Sequence, residues 1–208
     1  MFKKILLFLV VMIVAFCGYV ALQPDAFSVR RSATMNASPA DVFAQVNDFH
    51  NWQAWSPWAR LDPNAIAKFS GPDSGKGAKF AWEGNDQVGQ GDMEIVESKP
   101  NELIKIKLHF VKPFEGTNDT LFTFKPEGTG TAMTWEMSGK NNFVGKAMCM
   151  LMNMDAMVGG DFEKGLNSVK TIVEKPATKE PPAAAGSPNT AGNESATGTA
   201  ASTLNGTK

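Results

Sequence analysis

The chain has 208 residues, 43% of them hydrophobic, with 20 Lys and Arg against 21 Asp and Glu. That length suits one domain with extensions, the apolar content excludes a wholly disordered chain, and the charge balance argues against the broad basic surface of a nucleic-acid-binding protein. Two cysteines and two histidines exclude a disulfide-rich scaffold and leave little for a histidine-based metal site, so neither a metal nor a cofactor is expected.

Ile5 to Leu22 is a run of 18 residues without a charge. As a helix it spans about 27 Å, close to the ~30 Å hydrocarbon core of a bilayer. A secretory signal peptide has the same form, a charged start and an apolar middle. Here Ala15-Phe16-Cys17 makes a poor cleavage site, and the chain stays apolar beyond Cys17. The reading adopted is a single-pass anchor, residues 1–23, in a bacterial cytoplasmic membrane. Lys3 and Lys4 would hold the N-terminal tail in the cytoplasm, so the rest of the chain faces the periplasm or exterior.

Phe27 to Ala37 alternates as a first strand, with Val29, Arg31, Ala33 and Met35 on one face. Ser38-Pro39-Ala40-Asp41 is a helix start: an N-cap, proline at the first helical position and an acid in the first turn. Val42, Phe43 and Val46 form that helix's apolar face. An aromatic cluster from Phe49 to Trp58 follows, with room for a second short helix. Between Ile66 and Lys140 the period becomes two. The predicted inward face carries Phe80, Trp82, Met93, Ile95, Ile104, Ile106, Leu108, Phe110, Phe122, Phe124, Met133, Trp135 and Met137. Gly71-Pro72, Gly84-Asn85, Pro100-Asn101 and Pro126-Glu127-Gly128 punctuate the strands, as in an antiparallel meander with one apolar and one wet face. Residues 142–174 return to helical period, and Gly159-Gly160 is the expected break. The part after it bears a stripe of Phe162, Leu166, Val169 and Val173. From Pro176 to Lys208 the chain is Ala, Thr, Gly, Ser, Asn and Pro with almost no large apolar residue, a disordered low-complexity tail. The expected division is therefore 1–23, 24–175 and 176–208.

The ordered series Ser38-Pro39-Ala40-Asp41-Val42-Phe43, Asn47-Asp48-Phe49-His50-Asn51-Trp52, Trp55-Ser56-Pro57-Trp58, Gly75-Lys76-Gly77-Ala78, Trp82-Glu83-Gly84-Asn85, Gly89-Gln90-Gly91 and Gly160-Asp161-Phe162-Glu163-Lys164-Gly165-Leu166 resembles the START-like (SRPBCC, helix-grip) superfamily. The nearer resemblance is to its bacterial polyketide cyclase/dehydrase-like branch, over residues 27–174. It implies an α+β fold in which a curved antiparallel sheet of six to seven strands wraps around a long C-terminal helix. It also implies a deep apolar cavity between the two, of the kind in which members hold lipids, sterols or polyketides. Some members are enzymes and many have no known activity.

The expected cavity lining is Phe80, Trp82, Ile95, Ile106, Leu108, Phe110, Phe122, Phe124, Met133, Trp135, Met137, Asp155, Val158 and Phe162, with His50, Trp52 and Trp55 at its mouth. None of the inward strand residues is an acid, base or nucleophile, and no catalytic residue is assigned. Asp155 interrupts an apolar helical stripe of Met148, Leu151, Val158 and Phe162. It is either a solvent-facing residue near a helix end or a polar anchor for a ligand headgroup. The tryptophans are core, cavity lining or bilayer contacts. Met148, Met150, Met152, Met154 and Met157 make either ordinary core or a deformable lid. Three functions follow. The first is a membrane-tethered domain that binds a hydrophobic small molecule or lipid. The second is a polyketide cyclase/dehydrase-like enzyme using Asp155 or His50. The third is an envelope structural or partner-binding protein with a filled core.

Overall fold

The structure, a computed structural model, describes residues 1–151 and 153–175. Met152, the side chains of Met150, Leu151 and Met154, and the tail from Pro176 lie outside the described residues, so the expectations for most of the methionine cluster and for the tail fall there. The N-terminal apolar run forms one helix, α1 (Phe2–Ala21). Its side chains are almost all exposed, with Val20 the buried exception.

The first strand, β1 (Ala26–Met35), ends two residues earlier than its alternation suggests. The backbone N–H of Asn36 instead donates to Glu174 Oε1 at 2.6 Å, which takes it out of the ladder. Ser38 then caps α2 (Pro39–Asn47), its Oγ accepting from the Asp41 N–H at 3.2 Å. Val42, Phe43 and Val46 are the buried face of this helix. After a 3-10 turn over Phe49–Asn51, the short α3 (Trp52–Trp55) ends at Ser56, because the residue before Pro57 is pushed to extended backbone.

Six strands follow: β2 (Ile66–Ser70), β3 (Lys79–Glu83), β4 (Gln90–Lys99), β5 (Leu103–Lys112), β6 (Gly116–Glu127) and β7 (Gly130–Lys140). With β1 they form one curved antiparallel sheet of seven strands in the order β1-β7-β6-β5-β4-β3-β2. The alternation has the expected hand. Met93, Ile95, Ile104, Ile106, Phe122, Phe124, Met133 and Trp135 are buried on the inner face. The outer face is a ladder of cross-strand ion pairs: Lys79 with Glu94 at 3.1 Å, Lys105 with Glu97 at 2.7 Å and Lys107 with Asp119 at 2.6 Å. Each pair joins directly opposed residues. Such solvated pairs fix register more than they add stability.

The C-terminal helical stretch is two helices, α4 (Phe143–Leu151) and α5 (Met154–Val173). A new helix starts at Asn153, and Gly159-Gly160 does not break it, a correction with a local cause. Asn153 is an N-cap, its Oδ1 accepting from the Ala156 N–H at 3.0 Å, and Asp155 stands in the first turn, where the helix dipole favours an acid. Asn142 starts α4 in the same way, accepting from the Gly145 N–H at 2.8 Å. α5 lies along the inner face, burying Phe162, Leu166 and Val169. At ~1.5–3 kcal/mol per fully buried apolar side chain, these three supply about 5–9 kcal/mol, an upper bound that outweighs the polar ties at the helix's ends.

Candidate ligand cavity

Two halves of the space under the sheet's curve are filled differently. Trp135 on β7 is the centre of one half. Its ring stacks on Phe162 of α5 with centroids 4.1 Å apart and planes at 7°. Phe122 lies 5.0 Å away, Trp55 5.6 Å, Trp58 5.9 Å and Trp52 6.4 Å. Gly165 lets α5 come this close: a Cβ there would stand 2.8 Å from the Trp135 ring. The cluster fills the volume between α3, α5 and the middle of the sheet.

The other half is hollow. At the end of the sheet where β1 and β6 begin and β5 and β7 finish lies a cavity of about 780 Å³. Phe27 and Val29 of β1, Phe110 of β5 and Met137 of β7 line its sheet side. Val144, Met148 and Cys149 of α4 with Val158 of α5 line its opposite, helical side, and the cavity remains open to solvent. Phe114 and Glu115, in the β5–β6 turn, stand at its rim with Asn118, Lys140, Asn141, Asn142, Asn153 and Asp155. The result is an apolar wall with a polar lip. Cys149 is half-buried, and the Asn141 side-chain amide donates to its Sγ at 3.3 Å.

Of the residues expected to line a cavity, Phe110, Met137, Asp155 and Val158 do so. Ile95, Ile106, Phe122, Phe124, Met133, Trp135 and Phe162 are buried in the core, and Phe80, Trp82 and Leu108 pack against it half-buried. Trp52 and Trp55, expected at a mouth, are 7% and 2% exposed. Their indole N–H groups donate to the Val46 and Gln45 carbonyls at 3.0 and 2.9 Å, which holds α3 against the C-terminal end of α2. His50 borders a separate, smaller hollow of about 270 Å³ with Phe49, Phe69, Gly71 and Pro72. It stacks on Phe69 at 4.2 Å, and its Nδ1 is 2.7 Å from Asp48 Oδ1.

Asp155 is neither buried nor unpartnered. Its carboxylate receives both terminal nitrogens of Arg31, at 3.0 and 3.2 Å, in the two-pronged geometry that favours guanidinium. Arg31 Nε donates to Glu163 Oε1 at 2.9 Å, and a terminal nitrogen also donates to the Asp155 carbonyl at 3.0 Å. Hydrogen bonding from Arg31 lowers the Asp155 pKa below the usual aspartate value, and the same contacts raise that of Arg31. Arg31 shares its face of β1 with the buried Val29 and Met35, and its side chain is a clamp between β1 and α5 that passes directly over Gly159. A Cβ at Gly159 would collide with the guanidinium, which explains a glycine inside an unbroken helix.

His109, on the outer face, hydrogen-bonds Asp92 Oδ2 at 2.9 Å through Nδ1, and that bond raises its pKa above the ordinary histidine value. Its Nε2 is 3.8 Å from Glu115 at the cavity rim. Among the described residues no group of three or more His, Cys, Asp or Glu side chains could hold a metal ion.

Sequence periodicity missed the α4 roof and the β1 wall of the cavity. The parity of Val29 pointed inward, and Asn142 and Asn153 are N-cap residues whose spacing marks two helix starts. Read together, the two caps mark a separate short helix ahead of α5, while its position over one end of the sheet is a matter of tertiary packing.

Known proteins agree with this architecture. The fold is similar to the Aha1 dimer from Colwellia psychrerythraea, at 15% identity and a TM-score of 0.53, covering 72% of this chain and 97% of that one. It is also similar to the Mll3558 protein from Rhizobium loti, at 19% identity and TM-score 0.52, covering 70% and 99%. A protein from Rhizobium leguminosarum matches at 14% identity and TM-score 0.54, covering 74% and 98%. A search of curated proteins by sequence gives no match. Residues 26–174 match the profile described as polyketide cyclase/dehydrase and lipid transport. That span takes in all seven strands and the whole of α5, so the chain belongs to the polyketide cyclase/dehydrase and lipid transport family.

Proposed function

We propose that the chain holds a hydrophobic small molecule or lipid in the cavity under α4, and that α1 tethers it as a single-pass anchor to a bacterial cytoplasmic membrane. The observation that carries the first part is the cavity itself. Its volume of about 780 Å³ falls within the ~300–1,000 Å³ of small-molecule sites, which combine an apolar wall with placed polar groups, here gathered at the lip. Membership of a family that includes lipid transport supports the same reading. For the tether, the support is a 20-residue helix, long and apolar enough to cross a membrane, whose side chains are exposed except for Val20. Lys3 and Lys4 precede its apolar run, which favours a cytoplasmic N-terminus and an exported domain.

The test is mass spectrometry of apolar compounds extracted from the full chain purified in mild detergent, alongside Val158→Trp. The indole would occupy the cavity from its α5 side. An apolar compound recovered in stoichiometric amount from the parent chain and lost from V158W supports the proposal. Equal recovery from both chains overturns it, as does recovery of no compound from the parent together with no uptake of a pyrene-labelled fatty acid.

A further inference from the structure

Five residues, and so six Cα-to-Cα steps, separate the end of α1 at Ala21 from Phe27 on the cavity wall. Even fully extended they reach about 20 Å, so the hollow half of the domain cannot stand far from the end of α1. Three contacts make the placement closer. The Asn141 N–H donates to the Asp25 carbonyl at 2.7 Å, Lys146 Nζ of α4 reaches the Ala21 carbonyl at 3.5 Å, and Val20 is fully buried. The roof of the cavity therefore rests on the last turn of α1, while the tryptophan cluster and the His50 hollow are elsewhere in the domain.

This end also exposes apolar side chains that the fold does not need. Phe114 is 60% exposed, Val144 50% and Phe143 46%, and Phe114 and Val144 line the cavity as well. Leu22, in the linker after α1, is 86% exposed. Large exposed apolar side chains gathered around an opening mark an interaction surface. Their continuity with an apolar helix of membrane-spanning length selects the bilayer as the partner.

We infer that the mouth of the cavity is applied to the membrane surface, with Phe143 at the start of α4 and Phe114 of the β5–β6 turn set among the lipid headgroups. A hydrophobic ligand then passes between bilayer and cavity without crossing water. This rests on the proposed binding and tethering, and adds to them a direction and a route.

Two measurements on the full chain in lipid vesicles test it. In Phe143→Trp the native tryptophans remain in the domain, so the added emission reports the position of residue 143. Vesicles brominated on the acyl chains should quench F143W at least twice as strongly as the parent chain; equal quenching overturns the inference. In Phe143→Asp the new acid stands in the first turn of α4, where the helix dipole tolerates it, and residue 143 does not line the cavity. Uptake of a pyrene-labelled fatty acid from vesicles should slow about tenfold in F143D, with uptake from detergent micelles unchanged. A parental rate from vesicles overturns the route. If the parent chain takes up the probe from neither source, the binding proposal fails, and quenching of F143W still decides whether the mouth meets the bilayer.

Discussion

Trp52, Trp55 and Trp135 share one aromatic cluster, but their indole N–H groups have different fates. Those of Trp52 and Trp55 donate to backbone carbonyls. That of Trp135 is buried without a partner among the described residues. An unmet buried donor costs about 1–3 kcal/mol, which the stacking on Phe162 and the burial of the ring must exceed. The difference predicts the ranking of two identical substitutions. Trp135→Phe removes some volume but also removes the orphan donor, and should cost less than about 1.5 kcal/mol. Trp52→Phe removes similar volume and leaves the Val46 carbonyl unpaired, and should cost about 2–4 kcal/mol. Denaturant midpoints of the two variants decide it: equal losses, or a greater loss in W135F, would show that the unpaired N–H has no energetic weight.

At the scale of elements, α5 shows how one side chain can govern a helix. Gly159 and Gly160 both sit in its interior, where glycine costs about 1 kcal/mol relative to alanine. Gly160 has open space around its Cβ position, whereas Gly159 lies under the Arg31 guanidinium. Gly160→Ala should therefore raise the melting temperature by about 2–4 °C. Gly159→Ala should lower it, because Arg31 must leave Asp155 and Glu163. Thermal unfolding monitored by circular dichroism tests the pair, and a rise in both would mean that the clamp adds nothing.

The same helix marks where sequence patterning stops. Phe162, Leu166 and Val169 were legible as its core stripe because a 3.6-residue period needs no tertiary information. The inward faces of β3 to β7 were legible for the same reason at period two, whereas β2 shows no buried face. Glycine alone does not break a helix whose apolar face is packed against a sheet. What Gly159 accommodates is a residue 128 positions away, Arg31, and that contact exists only in three dimensions. Which part of the inner face is filled was equally hidden. Alternation says that Trp135 and Met137 both point inward, but not that Phe162, Trp52, Trp55 and Trp58 crowd the first while the second faces a hollow.

Over the whole molecule the two halves of the interior divide the work of folding and the proposed work of binding. The tryptophan half is close-packed by α2, α3 and the C-terminal part of α5, and its polar ties hold α5 to β1: Lys170 Nζ donates to the Thr34 carbonyl at 2.9 Å, and Glu174 accepts from Asn36. The hollow half has α4 as its roof, a short helix with exposed Phe143 and Val144, no packed layer beneath it and a single side-chain cap at its start. Regions with few buried apolar contacts open locally at a fraction of the global unfolding free energy. Hydrogen exchange of the full chain should therefore show the α4 amides exchanging at least tenfold faster than those of α5 from Phe162 to Val169, which should exchange only on global unfolding. Ligand binding adds stability to whatever it contacts, so saturation with a pyrene-labelled fatty acid should slow α4 and leave the tryptophan half unchanged. Uniform protection in the free protein would mean that the roof is as firmly held as the core. A uniform rise on adding the fatty acid would point instead to stabilisation of the domain as a unit, with α4 no more sensitive to the ligand than the tryptophan cluster.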